Sequence, residues 1–332
     1  MQEQFMKYLK AKTQDNTSFV EEIASVLDIG YDAAYRRINN KTNLSLEESV
    51  ILARHYKVSL NKLFEVGSPN TIIAELPPQP KDELGLEMFF KVSLSNILPL
   101  TQLKSSEMIY SAKDIPLFHT LNDSLLTRYK MYVWLKDVNS EMAESKITFD
   151  EWIKNIPESL LQSAYDLANV YKYVNITSIW NETTLTGSLQ QVLYYFEAGL
   201  VSKDLAIKVC EDIDTIVDKV EQQTIKQSLS GAKSEKYYHL YRCDLHTLHN
   251  TIMVATKDKK VFFAPFTVLT YMKVEHPETC NLMYDFLQKM MRNSKLLATA
   301  GERDRTLFFN KIHQKIQITK ERIKMDDKMA FI

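Results

Sequence analysis

Tyr31, Asp32, Ala33, Tyr35 and Arg36 fall within six positions, and Arg37, Asn39 and Lys41 follow at once. A guanidinium presents a planar fork of donors that fits the paired acceptors of a guanine edge, or two oxygens of a phosphate. A tyrosine ring can meet a thymine methyl, and its hydroxyl a phosphate. Polar and cationic groups at 37–41 suit phosphate contact, which positions a protein on a duplex without reading its sequence. Side chains of this kind act together only if one face of a rigid rod presents them. Ala34 and Ile38 stand four apart and supply the opposite, apolar face. That spacing predicts a helix over about 32–39.

The surrounding residues predict what holds this helix. A first helix is expected over about 2–12. Ser18 and Glu21 form a capping-box pattern, followed by Val20, Ile23, Ala24 and Leu27 at helical spacing. Ile29 and Gly30 make the turn. A second capping pattern, Ser45 to Glu48, opens a helix carrying Val50, Leu52, Ala53 and Tyr56, and Leu60–Phe64 forms a fifth. Two short helices joined by a tight turn, with supporting helices around them, is the layout of a helix-turn-helix, whose second helix enters the major groove.

The stretch FVEEIASVLDIGYDAAYRRINNKTNLSLEESVILARHYKVSLNKLF resembles the Xre/Cro-like helix-turn-helix regulators. Ala24 falls on that family's small residue in the first motif helix, and Ile29 on the apolar residue after the turn. VSLNKLF resembles the closing turn and helix. Asp28 departs from the glycine usual in the turn, but aspartate tolerates left-handed geometry better than most residues. The resemblance covers about 50 of the 332 residues. It implies a double-stranded DNA operator as partner, and a contact set of Ser18, Tyr31, Asp32, Ala33, Tyr35, Arg36, Arg37, Asn39 and Lys41. More faintly, Ser111–Pro116, Ile179–Glu182 and the stretch 302–312 resemble uncharacterised bacterial regulators with one such motif and a long C-terminal domain. That group implies no ligand or chemistry.

Composition narrows the alternatives. Seven glycines in 332 residues is about 2%, against a usual value near 7%, and no two lie close together. Phosphate-cradling loops need clustered glycines, so dinucleotide, P-loop and nucleophile-elbow motifs are absent. Net charge is −1, and residues 1–66 hold nine Lys+Arg against nine Asp+Glu. DNA contact therefore rests on a local patch around Arg36, Arg37 and Lys41. Three cysteines fit a reducing compartment, and no run of apolar residues is long enough to span a membrane. A cytoplasmic protein is expected.

Pro69, Pro77, Pro78 and Pro80 predict a linker over 66–82, between a helix-turn-helix domain at 1–65 and an α-rich domain at 83–332. Helices are expected near 122–138, 278–292 and 302–323. Further helices are marked by stripes at Leu160–Tyr171, Leu185–Leu200 and Leu205–Val220. β-branched and aromatic runs at 237–241, 250–256 and 260–269 predict a small antiparallel sheet. The fold class is thus mainly α with a small sheet.

Other residue groups also carry side chains capable of chemistry. Cys243, His246 and His249, with His239 nearby, have zinc-type ligands, but strand and loop spacing would spread them, so no metal is expected. Trp134, Trp180, Asn181, Glu182, Tyr110 and Asp114 could line a ligand pocket, with core packing the simpler reading. No catalytic arrangement stands out, so no cofactor and no enzymatic activity are expected. A homodimer is expected, its contact including Phe308, Ile312, Ile316 and Ile323 of the last helix. A small-molecule effector is left open. The alternatives are a protein-interaction module, or an enzyme domain with an attached DNA-targeting motif.

Overall fold

In the computed structural model, residues 1–13, 18–64, 72–230, 235–245 and 247–329 are described, without the side chains of Lys62 and 326–329. The chain divides into two units, Met1–Ile73 and Ala74–Ile332.

In the first unit, apolar residues three and four apart wind into α1 (Gln2–Lys10), α2 (Phe19–Leu27), α3 (Tyr31–Ile38), α4 (Leu46–His55) and α5 (Leu60–Phe64). Their inward faces meet in one core, where Leu9, Ile23, Ala34 and Leu52 are wholly buried. The α2–α3 turn closes as the sequence predicts. Asp28 takes the left-handed conformation (φ 53°, ψ 47°), and the Ile29 amide donates back to the Ala24 carbonyl at 3.0 Å. That satisfies a carbonyl left free at the helix end. The Ser45–Glu48 capping box forms in full. The one expected at Ser18 does not, because the exposed Ser18 hydroxyl makes no cap bond. Glu21 and Glu22 in the first turn complement the positive helix end instead.

The second unit is richer in strand than the sequence suggests. β1 (Ala74–Glu75) falls inside the expected linker; residues 65–71 of that linker lie outside the described residues. In chain order follow α6 (Glu83–Gln102), β2 (Glu107–Ser111), α7 (Leu117–Thr120), α8 (Leu125–Val138), α9 (Ser140–Glu144) and α10 (Phe149–Trp152). Next come α11 (Glu158–Val170), β3 (Asn175–Trp180), α12 (Thr186–Glu197), α13 (Lys203–Lys226), β4 (Tyr238–Arg242) and β5 (Thr251–Ala255). β6 (Lys260–Pro265), β7 (Tyr271–Val274), α14 (Pro277–Arg292), β8 (Lys295–Leu296) and α15 (Gly301–Met329) complete it.

The strands form one eight-stranded sheet in the order β1-β7-β6-β5-β2-β3-β4-β8. The expected small antiparallel sheet is therefore corrected to a mixed one, since β2, β3 and β4 run parallel to one another. The physical reason is burial. Every residue of β3 is buried, so β3 shows no alternation of polar and apolar residues. One sheet face packs on α14 through Ile109, Ile179, Met253, Phe262 and Val274. The other, bearing Met108, Ile176, Tyr238 and Leu240, shares the larger core with α8, α11, α12, α13 and α15. Among the described residues, no helix is long and apolar enough to cross a membrane.

Candidate nucleic-acid interface

α3 is eight residues long, and only Ala34 is wholly buried on it. Tyr31 and Tyr35 are 53% and 47% exposed, large aromatic side chains held in solvent. Asp32 and Arg36 are exposed beside them, and Ala33 is half-buried. Arg36 reaches back through Nε to the Asp32 carbonyl at 3.3 Å, which leaves its terminal nitrogens for another acceptor. Asn39 is exposed at the helix end and donates through Nδ2 back to the Tyr35 carbonyl at 2.9 Å. Lys41 is exposed, and none of the described residues pairs with its ammonium. Ser18 stands exposed at the start of α2.

Arg37 differs from the others. Its Nη2 and Nε meet the two Glu48 oxygens at 2.7 and 3.0 Å, and Nη1 donates to the Ala33 carbonyl at 3.2 Å. Both side chains are about one-fifth exposed. The Arg37 hydrogen bond holds the Glu48 carboxyl below the usual carboxylate range, against the opposing effect of burial. The expected phosphate-contacting guanidinium is thus engaged in tying α3 to α4.

Gln2, which sequence reasoning passed over, secures the exit from α3. Its Nε2 donates to the carbonyls of Arg37 and Thr42, and its Oε1 accepts from the Leu44 amide, each at 2.9 Å. The turn before α3 and the loop after it are therefore both fixed by hydrogen bonds. No local signal marks Gln2, because its partners lie 35 to 42 residues away.

The remaining candidates do not assemble as one site. Trp180 is wholly buried and donates through Nε1 to Ser178 Oγ at 2.9 Å, and Trp134 lies in the same core. Asp114 accepts from Ser188 Oγ at 2.6 Å and from Lys130 Nζ at 3.1 Å, while Lys130 also reaches Gln191 Oε1 at 2.9 Å. This closed network ties α8 and α12 to the segment after β2. Tyr110 is buried, its hydroxyl 3.4 Å from that of Tyr271. Glu182 pairs with Lys311 at 2.6 Å and Arg242 at 3.5 Å, linking the end of β3 to α15, and Asn181 accepts from the Thr183 amide in the same turn.

Cys243 is buried under α14, His249 is exposed, and His246 lies outside the described residues. No group of three metal-binding side chains exists among the described residues. The dimer contact expected on the last helix is corrected. Phe308, Ile312, Ile316 and Ile323 are at most 1% exposed, covered within their own chain. Periodicity reports that a helix face is covered, and here α13 and α12 cover it.

The chain was compared with protein-family models, with curated proteins and with solved structures, and none matches.

Proposed function

We propose that this chain is a sequence-specific DNA-binding regulator, with α3 lying in the major groove. The carrying observation is the α3 surface: Tyr31, Asp32, Tyr35 and Arg36 are exposed on a helix fixed at both ends. Two exposed aromatic rings beside a forked cation match base edges, thymine methyls and phosphates. Arg36 is the base-reading residue. Lys41, Asn39 and Ser18 contact phosphate, and Arg37 acts from behind by fixing α3 to α4. The Ala74–Ile332 unit dimerises and senses an effector, and the protein acts in the cytoplasm.

Charge sets the expected affinity. With Arg36 on a base edge and Lys41 as the phosphate-facing cation of this surface, each copy neutralises about one phosphate, so log K falls against log[salt] with a slope of about −1. Tethering two copies raises avidity by roughly 10²–10⁴ where the spacing permits. The experiment is selection of duplexes from a random library by the full chain, then fluorescence anisotropy across a salt series. Arg36→Ala should weaken binding to the selected duplex by about 1–3 kcal/mol without unfolding the protein. A folded Arg36→Ala variant with unchanged affinity, or a library that yields no enriched duplex, refutes the reading.

A further inference from the structure

The 20 residues of α6 divide between two helix faces. Leu86, Phe90 and Ile97 turn inward to the larger core. Leu84, Met88 and Val92, four apart in successive turns, stand outward with Ser95, Leu98 and Pro99. Leu84 is 76% exposed, Met88 59%, Leu98 50% and Val92 47%. Single exposed apolar residues are ordinary, whereas a contiguous stripe marks a contact. Among the described residues, no other helix exposes three large apolar side chains in successive turns.

The polar groups of this face are already satisfied. Nine residues of α6 are exposed, and Lys91 is the one charged side chain among them. Its ammonium is taken by Glu87, one turn back on the same helix, at 2.5 Å. Ser95 Oγ donates to the Val92 carbonyl at 2.8 Å, so this hydroxyl has its acceptor before any partner arrives. Few charges, with methionine present, is the composition of an interface centre. The helix is also held in place. Asp82 Oδ1 accepts from the Gly85 amide at 2.7 Å, Trp152 Nε1 donates to Glu83 Oε1 at 3.0 Å, and Ser159 Oγ donates to Glu87 Oε2 at 2.7 Å. A partner therefore meets a preformed face, and docking orders little that is not ordered already.

We propose that α6 is the homodimer contact, packing antiparallel on α6 of a second copy. The proposal rests on the dimer reading given above and names the surface that makes it. Area supports a second copy. A half-cylinder about 30 Å long and about 11 Å across offers about 500 Å² per copy, so a pair buries about 1,000 Å². That reaches the lower bound for a specific interface, in the class of weak, reversible pairs. Charge sets the direction. Antiparallel helices place each positive end beside a negative one. A two-fold axis centred between Val92 and Ser95 brings Met88 opposite Pro99 of the second copy and Val92 opposite its Ser95. Lys91 then faces Asn96, whereas a parallel pair would set the two Lys91 side by side.

The arrangement also fits a duplex. α6 opens just after Pro77, Pro78 and Pro80, where the chain arrives from the first unit. In the antiparallel pair the two α6 starts lie about 30 Å apart, the length of the helix. Half-sites one duplex turn apart are separated by about 34–36 Å. The two linkers thus begin about one half-site spacing apart.

The test uses the full chain without DNA. Sedimentation equilibrium between about 0.1 and 100 μM should show monomer and dimer in exchange, with Kd on the order of 1 μM. Met88→Asp should raise that Kd at least about 100-fold with its circular-dichroism spectrum unchanged, since the contact would then bury an unpaired charge. Leu282→Asp, at an exposed apolar residue of α14, should leave the dimer intact. A spin label on Lys81→Cys reads the direction, the three native cysteines being buried. Label-to-label distances should centre near about 35–40 Å, against less than about 20 Å for a parallel pair, and this readout does not depend on Met88→Asp folding. A dimer that survives in folded Met88→Asp, or one lost in Leu282→Asp alone, refutes the α6 contact and leaves the dimer reading standing. Distances under about 20 Å overturn the antiparallel arrangement. A monomer at every concentration refutes the contact and the dimer reading together. Duplex selection is a separate measurement, so a failure to bind DNA leaves these results unaffected.

Discussion

Replacing Arg37 by leucine should damage the stability of the first unit far more than the DNA binding proposed for it. The guanidinium makes two bonds to Glu48 and one to the Ala33 carbonyl. Fully exposed pairs contribute about 0–1 kcal/mol, and breaking a buried pair by removing one partner costs about 3–5 kcal/mol. At about one-fifth exposure on both sides, this pair lies between those limits, at about 1–3 kcal/mol. For a unit of this size each kcal/mol lowers the midpoint by about 4–8 °C, so a drop of roughly 5–20 °C is expected. The pH dependence has a definite sign. Glu48 is held below its unfolded value, chiefly by Arg37, so its contribution is full above about pH 4.3. It is lost as pH falls through the lowered folded value, and Arg37→Leu should flatten that part of the profile. The assay is thermal unfolding by circular dichroism between pH 3 and 7, paired with DNA anisotropy well below the midpoint. An unchanged midpoint with DNA binding abolished would show that Arg37 is a contact and its ion pair incidental.

Other expectations can be checked alongside. Asp28→Val should destabilise the first unit by about 1–2 kcal/mol in a denaturant titration, because a β-branched residue resists the left-handed backbone, whereas Asp28→Gly should cost little. Ala24→Leu should overpack the junction of α2 with its neighbours, at about 1–3 kcal/mol, visible as a lowered melting midpoint. Burial pushes the His119 imidazole down to about 3, with Lys219 adding a smaller effect. The second unit should therefore lose stability as pH falls below about 6.5, by about 2 kcal/mol at pH 5, and chemical denaturation at the two pH values reads this directly.

The first unit was legible because its signals are local. Ala34 and Ile38, the Ser45–Glu48 box and the Asp28 turn all act within a few residues. What escaped depends on partners distant in the chain. Gln2 reaches Leu44, and Arg37 reaches Glu48, so nothing near either residue discloses its role. β2 and β3 are buried, which removes the period-two pattern that would separate a strand from a helix segment. α6 was missed for the opposite reason. Leu84, Met88 and Val92 are exposed, so apolar residues lie on more than one face, and Pro99 near its end reads as a break.

The order of the sheet constrains how the second unit is made. β2 sits at its middle, between β3 and β5, yet the two neighbours arrive at very different times. Thr251, which pairs with Ser111, follows it by 140 positions. At about 5–20 residues per second, a ribosome takes roughly 7–30 s to supply that neighbour. Ile179 of β3, the other partner of Ser111, follows it by 68 positions, so for the rest of the interval β2 has β3 on one side and an unpaired ladder of amides and carbonyls on the other. An open edge of this kind invites pairing with a second nascent chain. Polysomes carrying closely spaced copies would bring such edges together, so slow closure of the β2–β5 seam makes yield depend on translation rate and on chaperones that shield a central strand until its late partner emerges.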